Sequence, residues 1–368
     1  MHFSINRNSN KAMSDSIRLA IAVMSITLAC YTTNIFANEK HSGELQGWSF
    51  SIEQDLFYLI NPDKNEDRDY TIGIDVGLFG EKATHSYLHD GLIAIDSLFG
   101  LKGVNQLENY QRSMHLGVAV YTPDDLSNPN PVYDDRPYAS LLYWSNRINR
   151  IAADQKSGIA TELTLGVLGL GIAGEIQALT HKIQREISGS DTPEAPQGWD
   201  HQISDGGELT FRYRLEYKHL LTQDSWYDLS TAVIGNLGYQ TDLGAGILLR
   251  AGNRASHFAF FEPRPAQQTS QFEHAKPTQD NYIYLYYQIT GVAYNELLQG
   301  GFRESAVTLS ADQIERVVHS LALGWTMTLK SGTRLTFAQY MHSPEFKGSN
   351  SRNHYWGGFY LTFPLNSQ

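Results

Sequence analysis

The sequence predicts an all-β fold: a closed antiparallel transmembrane β-barrel of about twelve strands, with one helix in an extracellular loop. Two observations support this. Several segments alternate apolar with polar residues at a period of two, which is typical of strands whose faces meet different surroundings. Beyond the amino-terminal region, no apolar run approaches the roughly 20 residues that a spanning helix needs. A spanning chain must then satisfy its backbone in a closed sheet.

The amino-terminal residues have the pattern of an export signal. Three basic residues come first: Arg7, Lys11 and Arg18. An apolar run follows from Leu19 to Cys30, and residues 35–37 (Ile-Phe-Ala) form a plausible cleavage site. Because the run is short for a membrane helix, we expect residues 1–37 to be a signal peptide. Residues 38–368 are expected to form a single barrel domain.

Charge and cysteine content restrict the function classes. The net charge of −11 argues against nucleic acid as a partner, because phosphate binding needs a basic surface. It is compatible with a membrane whose anionic groups are bridged by divalent cations. The single cysteine, Cys30, lies in the predicted signal peptide, so the mature barrel is expected to lack disulfides. Lipidation of Cys30 is the alternative, but residues 27–29 (Thr-Leu-Ala) match a lipobox poorly.

The alternation is clearest in residues 208–218, where five apolar residues are separated by charged or polar ones: Leu209, Phe211, Tyr213, Leu215 and Tyr217. Residues 48–58, 70–78 and 113–120 alternate similarly. Further strands are expected to begin near Tyr138, Ile159, Tyr227, Leu243, Asn281, Val317, Leu335 and Tyr355. A soluble secreted β-sandwich is the alternative. Large aromatic side chains on one face and charges on the other favour a barrel with lipid outside and a polar lumen.

Two features of the predicted strands concern the membrane. Aromatic residues at strand ends are expected to form girdles at its two interfaces: Trp48, Tyr58, Tyr143, Trp226 and Tyr355. The segment 358–363 resembles the carboxy-terminal signature by which the barrel assembly machinery recognises its clients, displaced slightly inward by the last five residues, 364–368. We therefore expect that machinery as a partner during biogenesis.

One segment has helical spacing. Within residues 172–187, apolar residues recur at Ile176, Leu179, Ile183 and Ile187. At about 100° per residue, His181 falls on the opposite face, among polar residues such as Gln177. The helix lies between two predicted strands, so it belongs either to an extracellular loop or to a lumenal plug. Spacing alone leaves His181 as either a solvated residue or a catalytic one.

Common catalytic motifs are missing from the sequence. It contains no G-x-S-x-G elbow, no H-E-x-x-H and no Walker loop. The acidic loop at residues 63–69 places oxygen donors at alternate positions like an EF-hand. It has Arg68 where the turn needs glycine and Ile74 where the bidentate glutamate belongs. It is therefore either a different calcium-binding loop or an ordinary solvated one.

Several short motifs, in this order, resemble the outer-membrane lipid A 3′-O-deacylases. They are Glu53-Gln54-Asp55-Leu56-Phe57, Asp69-Tyr70-Thr71-x-Gly73, Tyr121-Thr122-Pro123, Asp135-Arg136-Pro137-Tyr138-Ala139, Gly166-Val167-Leu168-Gly169, Gly174-Glu175-x-Gln177, His181 and Gly198-Trp199-x-x-Gln202. The resemblance covers most of the mature chain, although the carboxy-terminal half matches mainly in strand layout.

The resemblance implies a calcium-dependent hydrolase of the Gram-negative outer membrane. Its site would lie at the outer rim, between the barrel wall and the loop helix. The catalytic residues carried over are His181, Asp55, Gln54 and Thr71. Arg136, Gln177 and Trp199 are expected to bind substrate, and Glu53 and Asp55 to hold Ca²⁺. In the implied reaction His181 takes a proton from water, which attacks the ester of an acyl chain on lipid A.

The sequence departs from the family pattern at two positions. Gln54 stands where the family has asparagine, and residues 124–130 contain no counterpart of a lysine that some members carry. Strict alternation also places Gln54 and Asp55 on opposite faces, so both can serve one site only if the strand bulges or ends there. Three alternatives stay open: a phospholipase-type esterase, a passive channel and a barrel without activity. A monomer among outer-membrane lipids is expected.

Overall fold

The described residues form twelve strands that close into one antiparallel barrel, in which β1 pairs with both β2 and β12. The computed structural model describes residues 45–61, 68–80, 86–101, 110–175, 177, 196–265 and 279–365. The predicted signal peptide, most of the acidic loop at 63–69 and His181 lie outside these residues. Of the helices that the described residues form, none is long and apolar enough to cross a membrane.

The strands follow one another around the barrel in chain order. Their bounds are β1 Leu45–Gln54, β2 Asp69–Gly80, β3 Tyr110–Thr122, β4 Ala139–Ile151, β5 Ser157–Leu168, β6 Glu208–Gln223, β7 Tyr227–Gly238, β8 Gln240–Asn253, β9 Asn281–Asn295, β10 Val317–Thr328, β11 Arg334–His342 and β12 His354–Pro364. The predicted strand number and closure are confirmed. The eight strand starts predicted individually lie within three residues of the observed ones.

The two faces of the barrel differ as the alternation predicts. On β9, Ile283 and Leu285 are about half exposed on the outside, whereas Tyr282, Tyr284 and Tyr286 are buried in the lumen. On β6 the apolar residues likewise face outward, and Arg212, Arg214, Glu216 and Lys218 face inward. Apolar exterior and polar interior are the arrangement of a membrane barrel.

The lumen is filled by side chains and by a chain segment. Residues 258–261, in the connection between β8 and β9, are buried inside the barrel, and Lys218 donates to the carbonyl of Phe261 at 2.7 Å. Beside them, Arg264 donates to Glu216 at 2.6 Å and Arg147 to Glu262 at 3.1 Å. Because these charges are buried, each needs an opposite partner. Residues 258–264 are therefore held in the lumen by ion pairing as well as by packing.

A helix that the sequence analysis did not predict lies on the outer wall. Helix α1 (Tyr87–Leu98) begins at Ser86, whose hydroxyl accepts from the backbone N–H of His89. Its Asp96 accepts from Arg150 at 2.5 Å and from the Tyr213 hydroxyl at 3.0 Å. Both partners face outward, so α1 covers charged and polar groups that would otherwise face lipid.

The barrel has two ends, which we call the site rim and the terminal rim. The terminal rim is where β1 begins and β12 ends. The site rim carries the one-residue turn at Tyr239 and the connections 55–68, 123–138, 169–207, 296–316 and 343–353. Three of the five connections at the terminal rim have five residues or fewer: 152–156, 224–226 and 329–333. The site rim therefore carries most of the longer loops.

Candidate functional site on the outer wall

The first strand ends at Gln54, and a single 3-10 turn follows at Asp55–Phe57. The side chain of Glu53 points into the lumen, where it accepts hydrogen bonds from the hydroxyls of Tyr70, at 2.7 Å, and Tyr360. Alternation then places Gln54 on the outer face. Asp55 is fully buried in the turn and accepts from the backbone N–H of Arg68 at 3.2 Å. The strand thus ends between Gln54 and Asp55, so strand alternation no longer holds these two side chains on opposite faces.

A bulge in β2 turns Thr71 toward the outside. The pairing of β2 with β3 shifts between Tyr70 and Ile72, so Thr71 is an extra residue. Tyr70 reaches Glu53 in the lumen, whereas Ile72 packs on the outer wall. The predicted alternation, which put Tyr70 and Ile72 on one face, is wrong at this point. The Thr71 hydroxyl is buried 2.7 Å from the hydroxyl of Thr122.

The loop helix lies against the outer wall beside these residues. Residues 172–175 and 177 are helical, as the spacing predicted. Ala173 is fully buried in a cluster with the outward-facing Ile72 and Val120, and Trp199 packs against the same cluster. The described helical residues of the loop between β5 and β6 therefore lie over β2 and β3 on the outer wall.

Two glycines allow this loop to approach so closely. A Cβ on Gly174 would lie 2.9 Å from the Trp199 ring, and one on Gly198 would lie 2.5 Å from the Tyr138 ring. Without these atoms the rings of Trp199 and Tyr138 pack with centroids 4.8 Å apart. The glycines of the two loop motifs are thus packing positions that bring the loop to the wall.

The polar residues of the loop motifs make specific bonds. The Trp199 indole N–H donates to the side-chain oxygen of Gln177 at 3.2 Å. The hydroxyl of Ser140, on β4, donates to the side-chain oxygen of Gln202 at 2.9 Å. Gln177 and Trp199, both predicted to bind substrate, are therefore parts of the outer-wall site that fix its helix.

The face of the helix that meets the wall is the one bearing Ala173 and Gln177, which are four positions apart and both buried. This is the small and polar face of the predicted helix, not its apolar stripe. His181 follows Gln177 by four residues in the sequence. It lies outside the described residues, so its catalytic role stays a prediction.

Arg136 occupies the lumen, not the outer wall. It is buried, donates to Glu345 at 2.5 Å and lies over the Tyr121 ring at 4.4 Å from the centroid. Burial alone would raise the pKa of Glu345, but the charges of Arg136 and His342 outweigh it and hold that pKa below its usual value. Paired in this way on the lumen side, Arg136 is separated from the outer wall. We do not retain it as a substrate contact.

A set of ion pairs joins the loops of the site rim. Arg352 donates to Asp69 at 3.0 Å and to Asp135 at 2.9 Å. Arg68 donates to Asp124 at 2.7 Å. These contacts fix the start of β2 relative to the 123–138 and 343–353 connections. They therefore hold the Arg68 backbone that binds Asp55.

The outer-wall donors have the chemistry that a hard cation requires. Asp55 offers a fully buried carboxylate and Thr71 a hydroxyl, and Ca²⁺ prefers oxygen ligands of these kinds. Within the described residues no group of three or more His, Cys, Asp or Glu side chains converges. A calcium site here would need backbone, hydroxyl or water oxygens in addition. Glu53, satisfied in the lumen by two tyrosines, is not retained as a ligand.

Trp199→Ala is expected to release the loop helix from the wall. The substitution removes the ring that packs on Gly174 and the donor to Gln177, a loss of about 2 kcal/mol or more of docking energy. Hydrogen exchange over residues 170–177 should become more than about tenfold faster, while the barrel stays intact. Trp199→Phe keeps most of the packing and should exchange at an intermediate rate. Equal exchange in the wild type and both variants would contradict this account.

The fold and the outer-wall site together define an outer-membrane β-barrel that carries its polar site on the wall rather than in a pore. A family model described as outer membrane protein LpxR matches residues 19–365, and the chain belongs to this family. No curated protein sequence matches the chain.

The chain is similar to several solved structures, and the first of them has the same fold. LpxR from Salmonella typhimurium is 16% identical, with a TM-score of 0.66 over 87% of this chain and 100% of that one. The β domain of the Bordetella autotransporter BrkA is 10% identical, with a TM-score of 0.39 over 88% and 99%. An outer membrane channel from Pseudomonas putida F1 is 6% identical, with a TM-score of 0.41 over 88% and 96%.

Proposed function

We propose that this protein is a calcium-dependent lipid A deacylase, which hydrolyses an ester-linked acyl chain of lipopolysaccharide, the 3′-acyloxyacyl chain by family resemblance. The observation that carries the proposal is the position of the polar site. Asp55 and Thr71 lie at the site-rim ends of β1 and β2, and the loop helix with Gln177 covers the outer wall beside them. Only a substrate that lies in the membrane beside the barrel reaches such a site.

The orientation of the barrel in the membrane determines which lipid leaflet lies beside the site rim. Extracellular loops of outer-membrane barrels are the longer ones, and the site rim carries most of the longer loops. We therefore place the site rim at the outer leaflet, where lipid A resides, and the terminal rim in the periplasm. The outward-facing Val76 and Leu78 of β2, which are only partly buried, then run alongside the acyl chains of a lipid bound at the rim.

Each residue of the site has its own role in the proposed reaction. His181, four residues beyond the wall-facing Gln177 in the sequence, takes a proton from the attacking water and later returns it to the leaving alkoxide. The Trp199–Gln177 bond holds the helix on the wall at Gln177. Asp55 and Thr71 would hold Ca²⁺, which supplies Lewis-acid stabilisation of the oxyanion. Gln54, on the outer face, brings an amide to the same place on a longer arm than asparagine.

The lumen disfavours the passive-channel alternative. Residues 258–261 fill the end of the lumen near the terminal rim. Inside the barrel, buried ion pairs join Arg147, Glu162, Arg212, Glu216 and Arg264. A cavity of about 60 Å³, lined by Arg214, Asn236 and Gln288 among others, remains near the site rim. That volume holds a few water molecules, not a conducting column.

The test is lipid A profiling by mass spectrometry of outer membranes with and without this chain. In calcium, expression should shorten lipid A by one acyl chain, and a chelator should abolish the change. The same membranes are analysed for lysophospholipid. Loss of acyl chains from glycerophospholipid alone would instead establish the phospholipase-type alternative. Unaltered lipids of both kinds in calcium would refute the proposed activity.

A further inference from the structure

The residues that follow β1 form an outer strap, which we define as Asp55–Ile60. After the 3-10 turn the strap crosses the outside of β12. The Phe57 ring meets the Phe359 ring edge-on at 5.2 Å, and the Tyr58 ring lies 5.1 Å from the Tyr355 ring. A Cβ on Gly357 would lie 2.2 Å from the carbonyl oxygen of Phe57, so this glycine provides the crossing point.

A glutamine on the outer wall holds the strap through both the nitrogen and the oxygen of its side-chain amide. Gln339 of β11 donates from its side-chain nitrogen to the Phe57 carbonyl at 2.8 Å. Its side-chain oxygen accepts from the backbone N–H of Leu59 at 2.6 Å. Its neighbours along β11, Ala338 and Tyr340, are buried on the lumen side, so Gln339 belongs to the outward series.

A side-chain amide on the membrane face of a barrel destabilises the fold unless both its nitrogen and its oxygen form hydrogen bonds. Here both are bonded to the backbone of the strap, and Gln339 is only 6% exposed. Hydrogen bonds in such a weakly solvated place are stronger than in water. The pair therefore fixes the strap two to four residues beyond Asp55, while the Arg68 N–H binds Asp55 itself.

We propose that Gln339 is a positioning residue that sets the Asp55 carboxylate by clamping the strap that begins with it. This inference rests on the proposed function, in which Asp55 holds Ca²⁺. Leu59 and Ile60, which are 62% and 59% exposed at the end of the clamped segment, become the apolar edge of the site that meets an acyl chain. The other edge is the loop helix on β2 and β3.

The test uses Gln339→Met, which keeps the length of the side chain and places an apolar group on a membrane-facing wall, where it does not oppose folding. The matched control is Gln288→Met. Gln288 also uses both amide functions, bonding Tyr286 and Thr290 at 2.6 and 2.7 Å, but it lies in the lumen away from the strap. Three quantities are measured: hydrogen exchange of the Leu59 amide, the dissociation constant for Ca²⁺ by calorimetry, and the initial rate of lipid A deacylation.

Gln339→Met is expected to speed exchange at Leu59 by at least about tenfold and to raise the calcium dissociation constant by about tenfold. The rate at fixed calcium should fall about ten- to a hundredfold, the cost of a displacement of roughly 1 Å at a catalytic centre. Gln288→Met should leave all three at wild-type values. A general loss of barrel integrity would affect both variants alike.

Two outcomes overturn the inference. Unchanged exchange at Leu59 would show that Gln339 does not hold the strap. Faster exchange with an unchanged calcium constant and rate would show that the strap does not position Asp55. The proposed function fails separately: a wild-type protein that binds calcium but cleaves no lipid would refute the activity, while altered exchange and calcium affinity in Gln339→Met would still support the clamp.

Discussion

His181→Ala should leave lipid A fully acylated in membranes where the wild-type chain removes an acyl group. A general base contributes about 10²- to 10⁴-fold to the rate of such a hydrolysis, so residual turnover should be below detection in a mass spectrum of lipid A. The barrel should insert normally, because its twelve strands close through contacts that do not involve this residue's part of the loop.

The matched control is His201→Ala in the same loop. His201 ends the 3-10 turn Trp199–His201, and its side chain donates to the carbonyl of Pro129 at 3.1 Å on the surface. Its removal should leave the deacylation rate within about twofold of wild type, as surface substitutions usually do. Equal loss of activity in both variants would mean that loop placement, not proton transfer, is being measured. Full activity in His181→Ala would remove His181 from the mechanism.

The barrel could be predicted from the sequence because its signal is local and repeated. A period of two over eight or more residues appears in almost every strand. The alternation is pronounced because one face of the barrel meets lipid and the other meets a charged lumen. The prediction fails where one residue changes the phase. The bulge at Thr71 moves Tyr70 to the lumen and Ile72 to the outside, and nothing in the local pattern of two apolar residues announces it.

The aromatic prediction fails at Tyr143 for a related reason. Tyr143 was expected in an interfacial girdle, but it is buried in the lumen and donates to Asp75 at 3.0 Å. Trp226, also expected there, is 62% exposed at the terminal rim. Tyrosine suits both a membrane interface and a polar packed lumen, because it has an apolar ring and a hydroxyl. Residue type alone therefore does not decide which face a strand-end tyrosine occupies.

The site could be predicted in part. Motif order brought Gln54, Asp55, Thr71, Gln177 and Trp199 to one region, and the structure places them on the outer wall or at its rim. Glu53 and Arg136 belong to the same motifs but serve the lumen. Gln339 could not have been found, since it lies about 280 residues from the strap it binds. Such a contact depends on barrel closure, which pairs the last strands with the first.

Asp55→Asn and Glu53→Gln should distinguish the roles of two carboxylates that lie two positions apart and that the sequence alone predicts as calcium ligands. Asparagine keeps the shape of Asp55 and can still accept from the Arg68 N–H, so the turn should stay folded. Loss of the negative charge should weaken calcium binding, and at fixed calcium the rate should fall about a hundredfold or more, since even indirect partners of a metal site cost 10–100-fold.

Glu53→Gln should act on stability instead. A glutamine cannot accept from the Tyr70 and Tyr360 hydroxyls as the carboxylate does, so the loss is about 1–3 kcal/mol in a buried network. The barrel should lose its compact form in detergent at a lower temperature, while calcium affinity and the deacylation rate below that temperature stay near wild type. Normal calcium affinity in Asp55→Asn, or its loss in Glu53→Gln, would reverse the assignment, because Glu53 lies on the lumen side of β1 whereas Asp55 begins the turn that leads to the outer wall.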